Sequence, residues 1–285
     1  RSFKKDTLAP SFTLTNPMDG FQVNTANVGG VAFSGSCSDD NENIVFDIYP
    51  QYTGPTPIPC QGGTFSSTFS LNDKVDGSIT VTANYSDAAG NTASPIQRVL
   101  SKLLTVPNLT FDPPATLYVN ALAASNFPIS GGCSAINQTI FVGGSTSGQG
   151  ICGGSGTWQV YLSFAASVPE GQVTITAAMS NLAGNPAPTP VPLILTKDTA
   201  APTPPPSLNF PAVYSSASES PVLSWGPAVD TTSTISRYEI AIGTTPGARN
   251  VRDWYPVGNS SSGYSPGLTL TDTASYYPSV RAIDA

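Results

Sequence analysis

Residues 77–91 read GSITVTANYSDAAGN and residues 171–185 read GQVTITAAMSNLAGN, identical at 8 of 15 positions without a gap. Within this stretch Ile79, Val81, Ala83 and Tyr85 alternate with Thr80, Thr82 and Asn84, the period of a strand with one buried face. A repeated strand and turn makes the chain an array of modules, so the fold is sought in units of about 95 residues.

Upstream the copies continue to agree. SGSCS at 34–38 matches SGGCS at 130–134, each followed by an apolar run, NIVFDIY or QTIFVGG. In the first copy strands are predicted near residues 12–15, 31–37, 44–49, 65–71, 78–85 and 95–100, with counterparts in the second. Six or seven short strands separated by turn residues predict an all-β, two-sheet sandwich for each copy. Only 10% of the 285 residues are charged, and 26 Gly and 27 Pro interrupt the chain, which disfavours surface helices. A chain of this length suits two or three cores.

The four cysteines fall at matching places in the two copies, and Cys37 with Cys60, and Cys133 with Cys152, are predicted to form disulfides. Zinc is the competing use, but there is no CxxC pair and no histidine. Each bridge would close a loop of about 20 residues, worth about 3 kcal/mol in the chain-entropy model, and implies an oxidising, extracellular or periplasmic setting.

GSITVTANYSDAAGNTA resembles the penultimate strand, hairpin and last strand of the bacterial immunoglobulin-like domains strung along large surface proteins and adhesins. LTKDTAAPTPP at 195–205 resembles the linker between such modules, and FKKDTLAP at the start repeats it. Residues 203–285 resemble a fibronectin type III-like module through SPVLSWGPAVD, SRYEIAIGTTPG and LTLTDTASYYPSVRAIDA. The resemblance implies Trp225 and Tyr238 as core positions and Leu270 with Tyr276 as a tyrosine corner. Pro278 stands where the repeats have Val81 and Ile175, so a bulge is expected there.

Three tandem sandwiches are therefore expected: residues 1–102 and 103–200 immunoglobulin-like, and 201–285 fibronectin type III-like and lacking its last strand. Residues 1–5 align with the end of a completed module, and residues 280–285 align with 83–88, so both ends look cut. Either the chain is a section of a longer array, or the N-terminal strand of one copy completes the open module of the next, head to tail.

Chemistry is constrained by omission. Without histidine, Ser-His-Asp and Cys-His nucleophiles and histidine-bearing metal sites are ruled out. The net charge of −7 carries no basic stripe, which argues against nucleic acid, and the longest apolar runs are too short for a membrane span. The Gly-rich stretch at 143–156 lacks the Lys-Ser/Thr ending of a phosphate loop. No catalytic residues are expected.

Two calcium arrangements are open. Asp39, Asp40 and Glu42 crowd one loop, although the second copy has no acid there; alternatively linker acid Asp6 or Asp198 meets a loop acid such as Asp87, which is Asn181 in the second copy. Trp254, Tyr255 and Tyr264 are the candidate ligand-binding surface. Trp158, alternating with Val160 and Leu162, is expected in the core. These readings converge on a non-enzymatic extracellular segment of a bacterial surface protein, a stalk, filament or adhesin shaft whose partner is a cell-surface protein or glycan. A glycan- or protein-binding module and an accessory region of a secreted enzyme are the alternatives.

Overall fold

The computed structural model describes residues 4–50, 56–209 and 220–284. Residues 1–3 of the segment read as a preceding module's tail, and residue 285, lie outside the described residues. All regular elements among the described residues are strands, in three groups, each with its own apolar cluster.

The first group contains β1 (Gln22–Val23), β2 (Val31–Ser36), β3 (Asn43–Tyr49), β4 (Thr56–Pro59), β5 (Thr64–Phe69), β6 (Gly77–Tyr85) and β7 (Ile96–Lys102). They form a five-stranded sheet, β1-β7-β6-β3-β4, facing the pair β2-β5. In β6 the alternation of the sequence becomes alternation of burial: Ile79, Val81 and Ala83 are wholly buried beside Phe33, Phe46 and Leu100, while Thr80, Thr82 and Asn84 are only half-buried.

The second group repeats this plan with β8 (Tyr118–Val119), β9 (Phe127–Gly132), β10 (Thr139–Gly144), β11 (Gly148–Ile151), β12 (Thr157–Leu162), β13 (Gly171–Met179) and β14 (Leu193–Lys197). Its sheets run β8-β14-β13-β10-β11 and β9-β12, element for element the order of the first group. Trp158 is buried as expected, and its indole N–H donates to the Thr110 carbonyl at 3.1 Å. Both predicted disulfides are formed, Cys37 to Cys60 and Cys133 to Cys152, with Cα–Cα separations of 6.0 and 5.8 Å.

Three features depart from the sequence reading. The strand expected at 12–15 is reduced to single bridges, Phe12 to Cys37 and Asn16 to Ser34, before the chain crosses to the other sheet and pairs β1 in parallel with β7. Gly35 and Gly131 explain how that crossing segment comes so close: a Cβ at either would lie 1.8 Å from the Thr13 or Thr110 carbonyl oxygen. Second, Lys197, read as linker, ends β14 and is buried, donating to the Val168 carbonyl at 2.7 Å and pairing with Glu170 at 3.0 Å. Lys102 does the same work in the first copy, donating to the carbonyls of Leu71, Asn72 and Lys74. Burial raises the Glu170 carboxyl's pKa, but the Thr199 hydroxyl and N–H and the Lys197 ammonium outweigh it and hold the group below the usual range.

The third group has β15 (Leu223–Ser224), β16 (Arg237–Gly243), β17 (Arg252–Gly258), β18 (Ser262–Gly263) and β19 (Tyr277–Ile283), in sheets β17-β16-β19 and β15-β18. Trp225 and Tyr238 pack at 5.5 Å in its core. The corner forms as the resemblance implies, with the Thr271 N–H donating to the Tyr276 hydroxyl. The bulge expected at Pro278 is the third departure. β19 keeps unbroken register with β16 from Tyr277 to Ile283, and the shifts fall between β16 and β17 instead. Among the described residues β19 is paired on one side only, and a proline is tolerated on such a strand because alternate amides face away from the partner.

Candidate functional site at the module joints

The recurring hairpin, read from sequence as a turn that counts modules, is also where consecutive sandwiches are fastened. In both copies glycine takes the left-handed conformation the turn needs, φ +88° at Gly90 and +85° at Gly184. In the first copy the turn satisfies itself. Asp87 Oδ1 accepts the N–H groups of Ala89 and Asn91, and its Oδ2 accepts the Asn91 side-chain amide at 2.7 Å. Those bonds, the Asn91 amide first, hold the Asp87 carboxyl below the usual range.

Asn181 replaces Asp87 in the second copy and has one oxygen instead of two. That oxygen caps Ala183 and Asn185 N–H, while the Asn181 amide donates outward to the Thr105 carbonyl at 2.7 Å. Asn185 is thereby released from the turn. Its amide donates to the Leu103 carbonyl at 2.6 Å and its oxygen accepts the Thr25 N–H at 2.8 Å, while Asn24 donates to the Ala183 carbonyl at 2.7 Å. Asn185 and Ala183 are 0% and 4% exposed, although neither belongs to a core cluster; Ala89, in the first copy, is exposed. The first sandwich therefore covers the hairpin of the second.

The second joint begins alike and ends differently. Asp198 N–H donates to the Val119 carbonyl at 3.0 Å, as Leu103 N–H donates to Val23 at 3.0 Å. Thr203 then fastens the linker to Val229 through its backbone and hydroxyl. Where the first joint sets amides against carbonyls, the second sets acid against acid: carboxylate oxygens of Asp198, Asp230 and Asp284 all lie within 4.8 Å of one another. Asp198 is 4% exposed and neither of its oxygens has a hydrogen-bond partner. Burial, then the charges of Asp198 and Asp230, push the Asp284 carboxyl above its usual range. Asp230 is oriented by accepting the N–H groups of Thr232 and Ser233, each at 2.7 Å. A buried, unpaired carboxylate costs several kcal/mol unless a cation or proton answers it. An all-oxygen donor set of this kind fits a hard divalent cation.

The structure distributes the sequence candidates differently. Asp39 accepts the Ser38 hydroxyl, its backbone is pinned on both sides by the Tyr85 hydroxyl, and Asp40 accepts the Gly63 N–H at 3.0 Å. With Glu42 half-buried nearby, this run serves the turns around the first disulfide, and the acids drawn together among the described residues are elsewhere. Asp6 caps its own turn at Leu8 N–H. Asp198 does meet a loop acid, but the one aligned with Asp87 in the third repeat, Asp284. Asp230 was not anticipated.

Trp254 and Tyr255 point to opposite faces of β17. Tyr255 packs against the third core, while the Trp254 ring carries the Arg281 guanidinium 4.3 Å from its centroid and Arg249 at 5.7 Å. Glu239, 6% exposed, bridges Arg237 and Arg281 on the same outer face. Tyr264 is exposed and Tyr255 stacks under Arg252, so the three rings do not share one platform. A surface cleft of about 420 Å³ beside Phe141 and Pro186 is lined by no ionisable side chain. No helix is long and apolar enough to cross a membrane among the described residues.

No protein-family model and no curated protein matches the chain. Among solved structures, it is similar to a Ca2+-stabilised adhesin with which an Antarctic bacterium binds ice, at 15% identity and TM-score 0.45, over 99% of this chain and 74% of that one. It is similar also to the fibronectin(III)-like modules of Clostridium thermocellum CbhA, at 10% identity and TM-score 0.43, over 67% and 95%. Domains FN1–FN3 of chicken CNTN1 match at 12% identity and TM-score 0.38, over 96% and 92%. At these identities and TM-scores none of them bears on function; the tandem immunoglobulin-like and fibronectin type III-like architecture stands on the strand order and cores of this chain.

Proposed function

We propose that the chain is a non-enzymatic extracellular segment of a bacterial surface protein, a stalk in which three sandwiches, residues 1–102, 103–200 and 201–285, space a binding element from its anchor. The observation that carries this reading is Asn185. It is wholly buried, and its side chain is spent on fixing one sandwich to the linker and loop of the one before. Holding modules at a set angle is what a spacer requires, and a catalyst gains nothing from it. The two disulfides suit an oxidising exterior, and the Pro-rich stretch at 201–206 favours extended polyproline conformations that limit bending. Calcium is the cation that Asp198, Asp230 and Asp284 suit best, and a cell-surface protein or glycan is the partner the whole would reach.

Electron microscopy of the purified segment tests the reading. Elongated particles of three beads are expected; compact globules would overturn it.

A further inference from the structure

Independently of the spacer reading, we propose that the second sandwich carries a binding site of its own for a neutral saccharide. The site is the cleft beside Phe141 and Pro186, on the solvent face of the sheet β8-β14-β13-β10-β11, and the Phe141 ring is its stacking platform.

The first sandwich, built to the same plan, displays this face in another form. Ile44 pairs with Tyr85 there as Ile140 pairs with Met179 here, so Val45, Asp47 and Asn84 are the counterparts of Phe141, Gly143 and Ala178. In the first copy Asn84 donates across the strands to Asp47 at 3.1 Å, Val45 is half-buried, and Glu42 adds a second acid. In the second copy that bridging pair is cut back to glycine and alanine, Glu42 becomes Gln138, and the valine becomes phenylalanine. These changes remove the acids, lower the surface around the ring and leave Phe141 54% exposed. Core packing does not require that ring: Phe111 pairs with Trp158 and Phe127 with Phe164, in or against the core, and Phe141 joins neither pair.

The chemistry of the lining selects the ligand. At about 420 Å³ the cleft falls within the roughly 300–1,000 Å³ of small-molecule sites and has room for a disaccharide. Beside the bare ring it offers neutral groups that donate and accept, the Gln138 amide and the hydroxyls of Thr139 and Thr189, and these side chains bond to no other group among the described residues. A pyranose meets both demands, because its C–H face is apolar and packs on a ring while its rim of hydroxyls gives and takes hydrogen bonds. A phosphate, sulfate or carboxylate would find no counter-charge in this lining, and a purely apolar ligand would cut the amide and hydroxyls off from water. Asn181 stands in the wall with its amide spent on the Thr105 carbonyl, so the contact that fastens the first joint also holds the cleft in shape.

Amide chemical shifts of the intact segment test the inference, titrated to about 10 mM with cellobiose, maltose, lactose or N,N′-diacetylchitobiose, and with sialyllactose as the acidic counterpart. At least one neutral disaccharide should bind with a dissociation constant of about 1 mM or below, shifting Thr139, Phe141 and Ala178 first, and sialyllactose should bind no better than lactose. Phe141→Ala should weaken that disaccharide by about 5-fold or more. Gly143→Asp combined with Ala178→Asn, which restores the first copy's pair, should abolish binding and leave the fold intact, since a Cβ at Gly143 meets the Thr176 hydroxyl at an ordinary 3.5 Å. The inference is overturned if none of the neutral disaccharides shifts this face, if sialyllactose binds more tightly than lactose and the other neutral sugars, if the shifts gather around Trp254 instead, or if binding survives Phe141→Ala unweakened. A segment that dimerises through this face and turns monomeric with Phe141→Ala would overturn it as well, because the ring would then serve a second copy. Compact particles that still bind a disaccharide here would sink the spacer and leave this site standing.

Discussion

Replacing Asn185 by alanine isolates the first joint. The side chain makes two bonds across it, 2.8 Å from the Thr25 N–H and 2.6 Å to the Leu103 carbonyl, and is 0% exposed. Each bond contributes about 1 kcal/mol net, and leaving Thr25 and Leu103 without a partner adds a desolvation penalty. Thr25 is exposed and Leu103 half-buried, so water can answer part of that penalty. The total is about 2–3 kcal/mol, equivalent to about a 30- to 150-fold rise in opening of the joint. The assay is exchange of the Thr25 amide in the intact chain, because that amide reports this contact directly. Asn91→Ala is the matched control: its amide is satisfied inside its own turn by Asp87 at 2.7 Å and reaches the Asp6 carbonyl only at 3.5 Å. It should leave Thr25 exchange untouched. If Asn185→Ala also leaves it untouched, or if both variants accelerate it equally, the hairpin is a turn and not a clamp.

Three further outcomes follow from the packing. Gly131→Ala should destabilise the second sandwich by about 3 kcal/mol or more in urea titration, because the new Cβ would lie 1.8 Å from the Thr110 carbonyl that Trp158 also uses. Lys102→Met should cost about 2–4 kcal/mol by the same measurement, since an ammonium 2% exposed as a residue is lost from the carbonyls of Leu71, Asn72 and Lys74. Glu239 governs an acid transition: burial raises its pKa, but Arg281 and then Arg237 outweigh this and hold it below its ordinary 4.5. A lowered carboxyl stabilises the fold above the unfolded value and loses that contribution as pH falls below it, so the Trp254 fluorescence of the third sandwich, reporting through Arg281, should show a transition below about pH 4.5 that Glu239→Gln removes.

The fold was legible wherever it has a period. Alternation in β6 and β13 gave their strands, inner faces and repeat length, and matching cysteine positions gave both disulfides, because loop closure acts along the sequence. Elements without a period stayed hidden. β1 and β8 are two residues long, too short to alternate, and owe their pairing to the sheet beside them. Gly35 and Gly131 fall inside predicted strands, where the sequence gives no reason for a glycine; only a neighbouring carbonyl shows why no side chain fits. Lys197 reads as a linker charge because a buried lysine is recognised by the carbonyls folded around it. The joints were half visible: Asp198 in a linker and an acid in the hairpin could be suspected, but Asp230 joins them through the third sandwich's own fold. In sequence the Asp87 to Asn181 exchange counts only as an acid missing from a candidate calcium site, yet trading one carboxylate oxygen for an amide turns a self-satisfied hairpin into one that grips its predecessor.

Small-angle X-ray scattering of the monomeric segment in calcium tests most directly whether its sandwiches are held in line. A compact protein of 285 residues has a radius of gyration of about 19 Å. Three modules of about 12 Å each, set end to end at about 32 Å, the roughly 30 Å span of the nine-residue β6 or β13 plus a turn, give about 29 Å. The account predicts a value near 29 Å; a value near 19 Å would contradict it.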